Sequence, residues 1–152
     1  RRMPTVAVVD GTLYPSLALE TLRVIAGDPN FQIKLNQFGV EKMRIPQFGI
    51  IPTDREGRVW IDWSQKSKRV SVADLPEDFE GAVVIVDVTA AGIANPVPTA
   101  MGAQFAGTTQ AALLGTMFAG TNIQRPDWAP TAELVALAIG GLLLILLSRW
   151  MW

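Results

Sequence analysis

The sequence predicts an α/β body, a mixed sheet flanked by helices, with a carboxy-terminal transmembrane helix. Three observations carry this. Phe31 to Asn36 and Arg58 to Trp63 alternate apolar with polar residues, the period of a half-buried strand. Ala82-Val83-Val84-Ile85-Val86 is a continuous apolar run followed by a loop and a helical pattern, the order of an α/β crossover unit. Leu134 to Leu147 contains no charged residue.

Taken in order, Thr5 to Val9 reads as a short strand closed by the turn dipeptide Asp10-Gly11. "YPSLALETLRVIAG" reads as a helix with Pro15 at its first position, where a missing N–H costs nothing. Gly27 closes it, and Asp28-Pro29 forbids its continuation. Leu17, Ala18, Leu19, Leu22, Val24 and Ile25 cover more than one stripe, which predicts burial on most of the circumference. Asp28 to Trp63 reads as a hairpin-rich insert: a second strand through Val40, Met43 and Ile45, breaks at Pro46, Gly49 and Pro52, and a turn at Asp54 to Gly57. Trp60 and Trp63 fall on opposite faces of a strand. Ala73 to Phe79 allows a short helical turn. The apolar run Ala82 to Val86 reads as a central strand covered on both faces. Gly107 to Phe118 reads as a helix capped by Thr108 or Thr109 and ended by Gly120.

Composition limits the chemistry. The 152 residues carry a formal net charge of -1, with 49% apolar and 18% charged residues. No long basic stretch supplies the positive field that nucleic acid requires. Cysteine and histidine are absent, which removes disulfides, thiolate chemistry and histidine-based acid–base relays. No phosphate-cradling glycine loop, metal cluster or nucleophile–base pair is legible, so no cofactor, metal or catalytic residue is expected. The chain starts at Arg1, and both ends look abrupt, as in a piece of something longer.

The last segment, "RPDWAPTAELVALAIGGLLLILLSRWMW", is read from its flanks. Trp128 precedes the apolar run, and Trp150 and Trp152 follow it. At about 1.5 Å per residue, Trp128 to Trp150 covers roughly 33 Å, near the ~30 Å hydrocarbon thickness of a bilayer. Tryptophans at both interfaces act as anchors. Arg149 beyond the run, with Asp127 and Glu133 before it, places the body outside the cytoplasm by the positive-inside rule, although Arg125 opposes this. Gly140-Gly141 permits close approach of another helix, or simply faces lipid. The expected division is residues 1–127 as a partial extracytoplasmic domain and 128–152 as the membrane helix.

Four stretches then occur in order: "LYPSLALETLR", "IPTDREGRVWIDW", "FEGAVVIVDVTAAGIANPVPTAMG" and "IQRPDWA". With the following membrane helix they resemble the CHASE-two family of extracytoplasmic sensor domains, specifically its carboxy-terminal half. The resemblance implies a bacterial inner-membrane receptor with a periplasmic α/β sensor domain and an output domain such as a cyclase or kinase elsewhere. Two positions depart from it. Asp87 stands where the family has glycine. Gln110 replaces a histidine, keeping hydrogen bonding but losing titration.

The loop after the apolar run is the candidate ligand site. Ligands of open α/β sheets favour the carboxyl ends of strands. Thr89, Asn95, Thr99 and Gln110 offer polar contacts there, and Gly92 lets backbone approach a ligand. Small residues that merely let a crossover pack tightly account for the same pattern. The ligand is unspecified by either reading. Expected partners are the lipid bilayer and other membrane proteins or a second copy of the chain. The other functional class is an accessory structural subunit of a larger membrane complex, docking through its globular face and its membrane helix.

Overall fold

The computed structural model describes residues 2–65, 67–121, 126 and 128–150, with Arg149 and Trp150 as backbone only. In chain order the elements are β1 (Arg2–Pro4), β2 (Val6–Val9), β3 (Thr12–Pro15), α1 (Leu17–Ile25), β4 (Gln32–Asn36), β5 (Gly39–Ile45), β6 (Gly49–Ile51), β7 (Arg58–Trp60), β8 (Val97–Thr99), β9 (Gly102–Gln104), α2 (Ala106–Ala119) and α3 (Ala129–Trp150). The fold is mixed α/β. Its strands form four small antiparallel sheets: β1–β7, β2–β3, β4–β5–β6 and β8–β9.

Asp10-Gly11 turns the first hairpin. Both residues take the positive φ that a tight two-residue hairpin turn needs, 49° and 75°. β3 then runs through Pro15, so Ser16 rather than Pro15 begins the helix. Its side chain accepts the Leu19 amide at 3.3 Å, a normal N-cap contact. α1 buries only Ala18, Leu19 and Leu22. Leu17, Val24 and Ile25 are exposed, so the expected burial around most of the helix is not found. The reason is geometric: one stripe meets α2 and the strands, and nothing covers the opposite side among the described residues.

The core joins that stripe to Met43, Ile45, Ile51, Val59 and Ile61 from the strands and to Ala112, Leu113, Leu114 and Met117 of α2. β4 and the second expected strand, β5, both form; Phe31 and Ile33 pack on the core as expected, but Leu35 is 68% exposed, and Gly49-Ile50-Ile51, read in the sequence as a break, adds a third strand to that sheet. Two buried hydroxyls are satisfied internally. Thr5 donates to the Gly57 carbonyl at 2.6 Å. Thr116 donates to Ala112 O at 2.7 Å and accepts the Asp62 amide at 3.0 Å.

The largest correction concerns Ala82 to Val86. No strand forms there; residues 82–90 run without assigned structure. Ile85 alone is half-buried and packs on the core. Val83, Val84, Val86 and Val88 are 46%, 53%, 84% and 55% exposed. A continuous apolar run becomes a central strand only when strands flank it and layers cover it, and the described residues supply neither.

α3 stands clear of the core. Over Ala129–Ser148 its mean hydropathy is 2.2, and none of that stretch is buried. An apolar helix of this length left bare in a chain with a packed core elsewhere has the character of a membrane span. Trp128, 68% exposed, precedes it. No atom lies within 4 Å of the Cβ position at Gly140 or Gly141, so both are open to another helix or to lipid. Arg125, Asp127 and Trp152, used in the orientation and anchor readings, lie outside the described residues, as does the Trp150 side chain.

Candidate functional site

α2 is held at both ends by aspartates from loops. At its start, Phe105 occupies the N-cap position and offers no side-chain bond. Thr108 and Thr109, the caps expected from sequence, do other work. Thr109 donates to Phe105 O at 3.0 Å, and Thr108 accepts from Arg69. The cap is instead Asp87, whose Oδ2 accepts the Gly107 amide at 2.8 Å. A carboxylate at a helix N-terminus satisfies an orphan donor and complements the helix dipole. Gly107 has no side chain at the place where Asp87 packs: a Cβ there would overlap the Asp87 Cβ, with its Cγ and Oδ2 both 2.7 Å away.

This pair predicts a reversal of sign. Asp87→Gly should destabilise the body by about 1 kcal/mol, as lost caps do. Gly107→Ala should be destabilising in the wild-type background because its Cβ overlaps the Asp87 side chain from its Cβ outward. In the Asp87→Gly background, where that Cβ is gone, it should become neutral or stabilising, since alanine outranks glycine inside a helix by about 0.5–1 kcal/mol. Urea unfolding of the four chains measures the cycle.

At the other end Gly120 closes α2 in the left-handed conformation, φ 63°. Asp62 gathers the chain there. Its carboxylate accepts the Ser64 amide at 2.9 Å, Gln65 Nε2 at 3.1 Å and Thr121 Oγ1 at 2.9 Å. The Ser64 hydroxyl and amide, then Gln65 and Thr121, hold the Asp62 carboxyl far below the ordinary carboxylate range. Because the folded pKa is depressed, the stabilisation is present above the unfolded value of 3.8 and is lost as pH falls through the folded one. Asp62→Asn should therefore be less stable than wild type at neutral pH, with the gap shrinking as the pH drops below 4. Urea midpoints across that range read it.

Of the five residues expected to form a ligand site, three are exposed on the loop and two are engaged in hydrogen bonds within the body. Thr89, Gly92 and Asn95 lie exposed on the loop, Gly92 in a turn with φ 81°. Thr99 closes the β8–β9 hairpin, donating to Gly102 O at 2.7 Å and accepting the Met101 amide at 3.2 Å. Gln110 is taken up in the packing of the helices: its Oε1 accepts the Ala18 amide at 3.3 Å, tying α2 to the start of α1. It also lines a cleft of about 200 Å³ with Arg2, Met3, Pro4, Val97, Ala106 and Thr109.

Two features were missed. A groove of about 940 Å³ opens between the β2–β3 hairpin, the start of β4 and the Arg55 turn, lined by Val6, Val8, Leu13, Phe31, Ile33 and Val40 with Arg23 and Arg55 among its polar groups. Its residues are scattered along the sequence, and no local pattern announces it. The Asp62 cluster was missed for the same reason, since Thr121 lies 59 residues from it. No group of three or more acidic, histidine or cysteine side chains able to hold a metal occurs among the described residues.

Residues 1–148 match the model of the CHASE2 domain. The chain belongs to the CHASE2 family. CHASE2 domains are extracytoplasmic sensory domains. The match takes in the apolar helix as far as Ser148, so body and candidate span are matched together. No curated protein and no solved structure matches the chain.

Proposed function

We propose that this CHASE2 chain is the sensing portion of a bacterial inner-membrane receptor, with its body on the periplasmic side and no catalysis of its own. One observation supports it above the others: the family match runs through the body and into the bare apolar helix. In this reading α2 is the moving part. A ligand or protein at the Thr89–Thr99 loop displaces Asp87, and with it the start of α2. The far end of α2 leads through Thr121 toward α3. Such a signal needs a ligand that binds two states with different affinity.

The test is a fusion of the chain to a cytoplasmic cyclase, with cyclic nucleotide as readout. Thr89 and Asn95 are exposed, so Thr89→Ala with Asn95→Ala leaves the core intact. The double variant should shift cyclase output relative to wild type at equal membrane abundance. Unchanged output would remove the loop from the signalling path.

A further inference from the structure

α1 begins on an acceptor supplied by α2. Ser16 caps the helix, so the amides of Ala18 and Leu19 are among those with no carbonyl one turn earlier to bond. Ser16 Oγ accepts the Leu19 amide at 3.3 Å. The Ala18 amide goes instead to Gln110 Oε1 on α2, also at 3.3 Å. Ala18 is 0% exposed, so its amide has no solvent to turn to when Gln110 leaves. A buried donor without an acceptor is costly, and α1 therefore holds its first turn best while Gln110 is in place.

Gln110 is in turn placed by the start of its own helix. It follows by one turn the Gly107 amide that Asp87 caps at 2.8 Å. Thr109, between them, is 5% exposed and donates to Phe105 O at 3.0 Å, so the first turn of α2 is one bonded piece. Asp87 itself sits in the stretch 82–90, which has no assigned structure. Its cap is the link with the least support behind it.

We infer that Asp87 and Gln110 form a capping relay through which the 82–90 stretch governs both helices: Asp87 seats the start of α2, and α2 seats the start of α1. Displacing Asp87 then releases two helix starts, not one. Each link is a single hydrogen bond between parts far apart in sequence, 20 residues at Asp87 and 92 at Gln110, so the relay exists only in the assembled body. As a route for a signal it rests on the sensory reading above, and it makes α1 a second moving part beside α2. As a coupling of free energies between two caps it stands whether or not the chain is a receptor.

The experiment is amide hydrogen exchange by NMR on the full chain in detergent micelles, with the Ala18 rate read against that of Met43. Met43 is fully buried in the central strand of the β4–β5–β6 sheet, so its amide reports opening of the whole body. Asp87→Gly should speed Ala18 by about twofold or more beyond any change at Met43, the lower end of coupling within one hydrogen-bonded network. Gln110→Ala should speed Ala18 by about fivefold or more, and adding Asp87→Gly to it should give no further excess. Gln110→Glu keeps an acceptor and should restore the protection of Ala18. Asp62→Asn loosens the other end of α2 and should move Ala18 and Met43 alike. Equal acceleration of the two amides by Asp87→Gly overturns the relay, as does an excess that survives in the Gln110→Ala background. Unchanged output of the cyclase fusion with the coupling intact would count against the sensory reading alone.

Discussion

Gly39→Ala should lower the unfolding free energy of the body by about 3 kcal/mol or more, the range of a forced left-handed residue combined with a steric overlap. Gly39 opens β5 at φ 121°, where L residues are rarely found. A Cβ there would run into the Arg55 carbonyl oxygen, with the carbonyl carbon 3.1 Å away. That oxygen is not free to retreat, because it accepts the Val40 amide at 2.7 Å. Gly49→Ala separates the two contributions. Gly49 has nearly the same φ, 123°, but nothing lies within 4 Å of its Cβ position. It should cost only the backbone strain, about 1–3 kcal/mol. Tryptophan fluorescence against urea, on both variants, reads the difference. Equal losses at the two sites would mean that the Arg55 turn yields and does not anchor β5.

Leu113→Ala should cost about 2–5 kcal/mol, the range for removing a buried leucine. Leu113 is fully buried in the cluster shared by α1, α2 and the strands. A cavity there loosens the two helices together. Phe118, in the last turn of α2, makes the useful contrast. It is 45% exposed and meets Phe48 edge to face at a centroid distance of 5.8 Å. Loss of that ring pairing should cost about 0.5–1.5 kcal/mol. If both substitutions cost the same, the core is not centred where α1 crosses α2.

These two sites also show what local sequence carries. β4, β5 and α2 were legible because their apolar spacing matches the period of the element they form. Gly27, read as a helix stop, and Gly49, read as a break, both have positive φ. The Ala82–Val86 run misled because its composition reports the burial a strand wants, while its environment depends on neighbours elsewhere in space. Two residues of the candidate site have structural partners that were hidden on similar grounds. Thr99 and Gln110 look like ligand-binding side chains, yet each is occupied, one by a hairpin turn and the other by the start of α1. Asp87 was visible as a departure from the family's glycine. Its partner was not, because the Gly107 amide lies 20 residues away.

The membrane helix was the reverse case. Its signal is composition, length and flanking tryptophans, none of which needs a neighbour to be read. The family match and the bare α3 both agree with it.

Membrane topology tests the account most directly, and the absence of native cysteine makes the experiment clean. Val72→Cys places a thiol on the exposed body, and Leu143→Cys places one in the middle of α3. A membrane-impermeant maleimide is added to intact spheroplasts. The account predicts that the Val72→Cys chain is labelled at once and that the Leu143→Cys chain is labelled only after detergent. Labelling of Leu143→Cys in intact membranes, or of Val72→Cys only after lysis, would contradict an extracytoplasmic body held by a spanning α3.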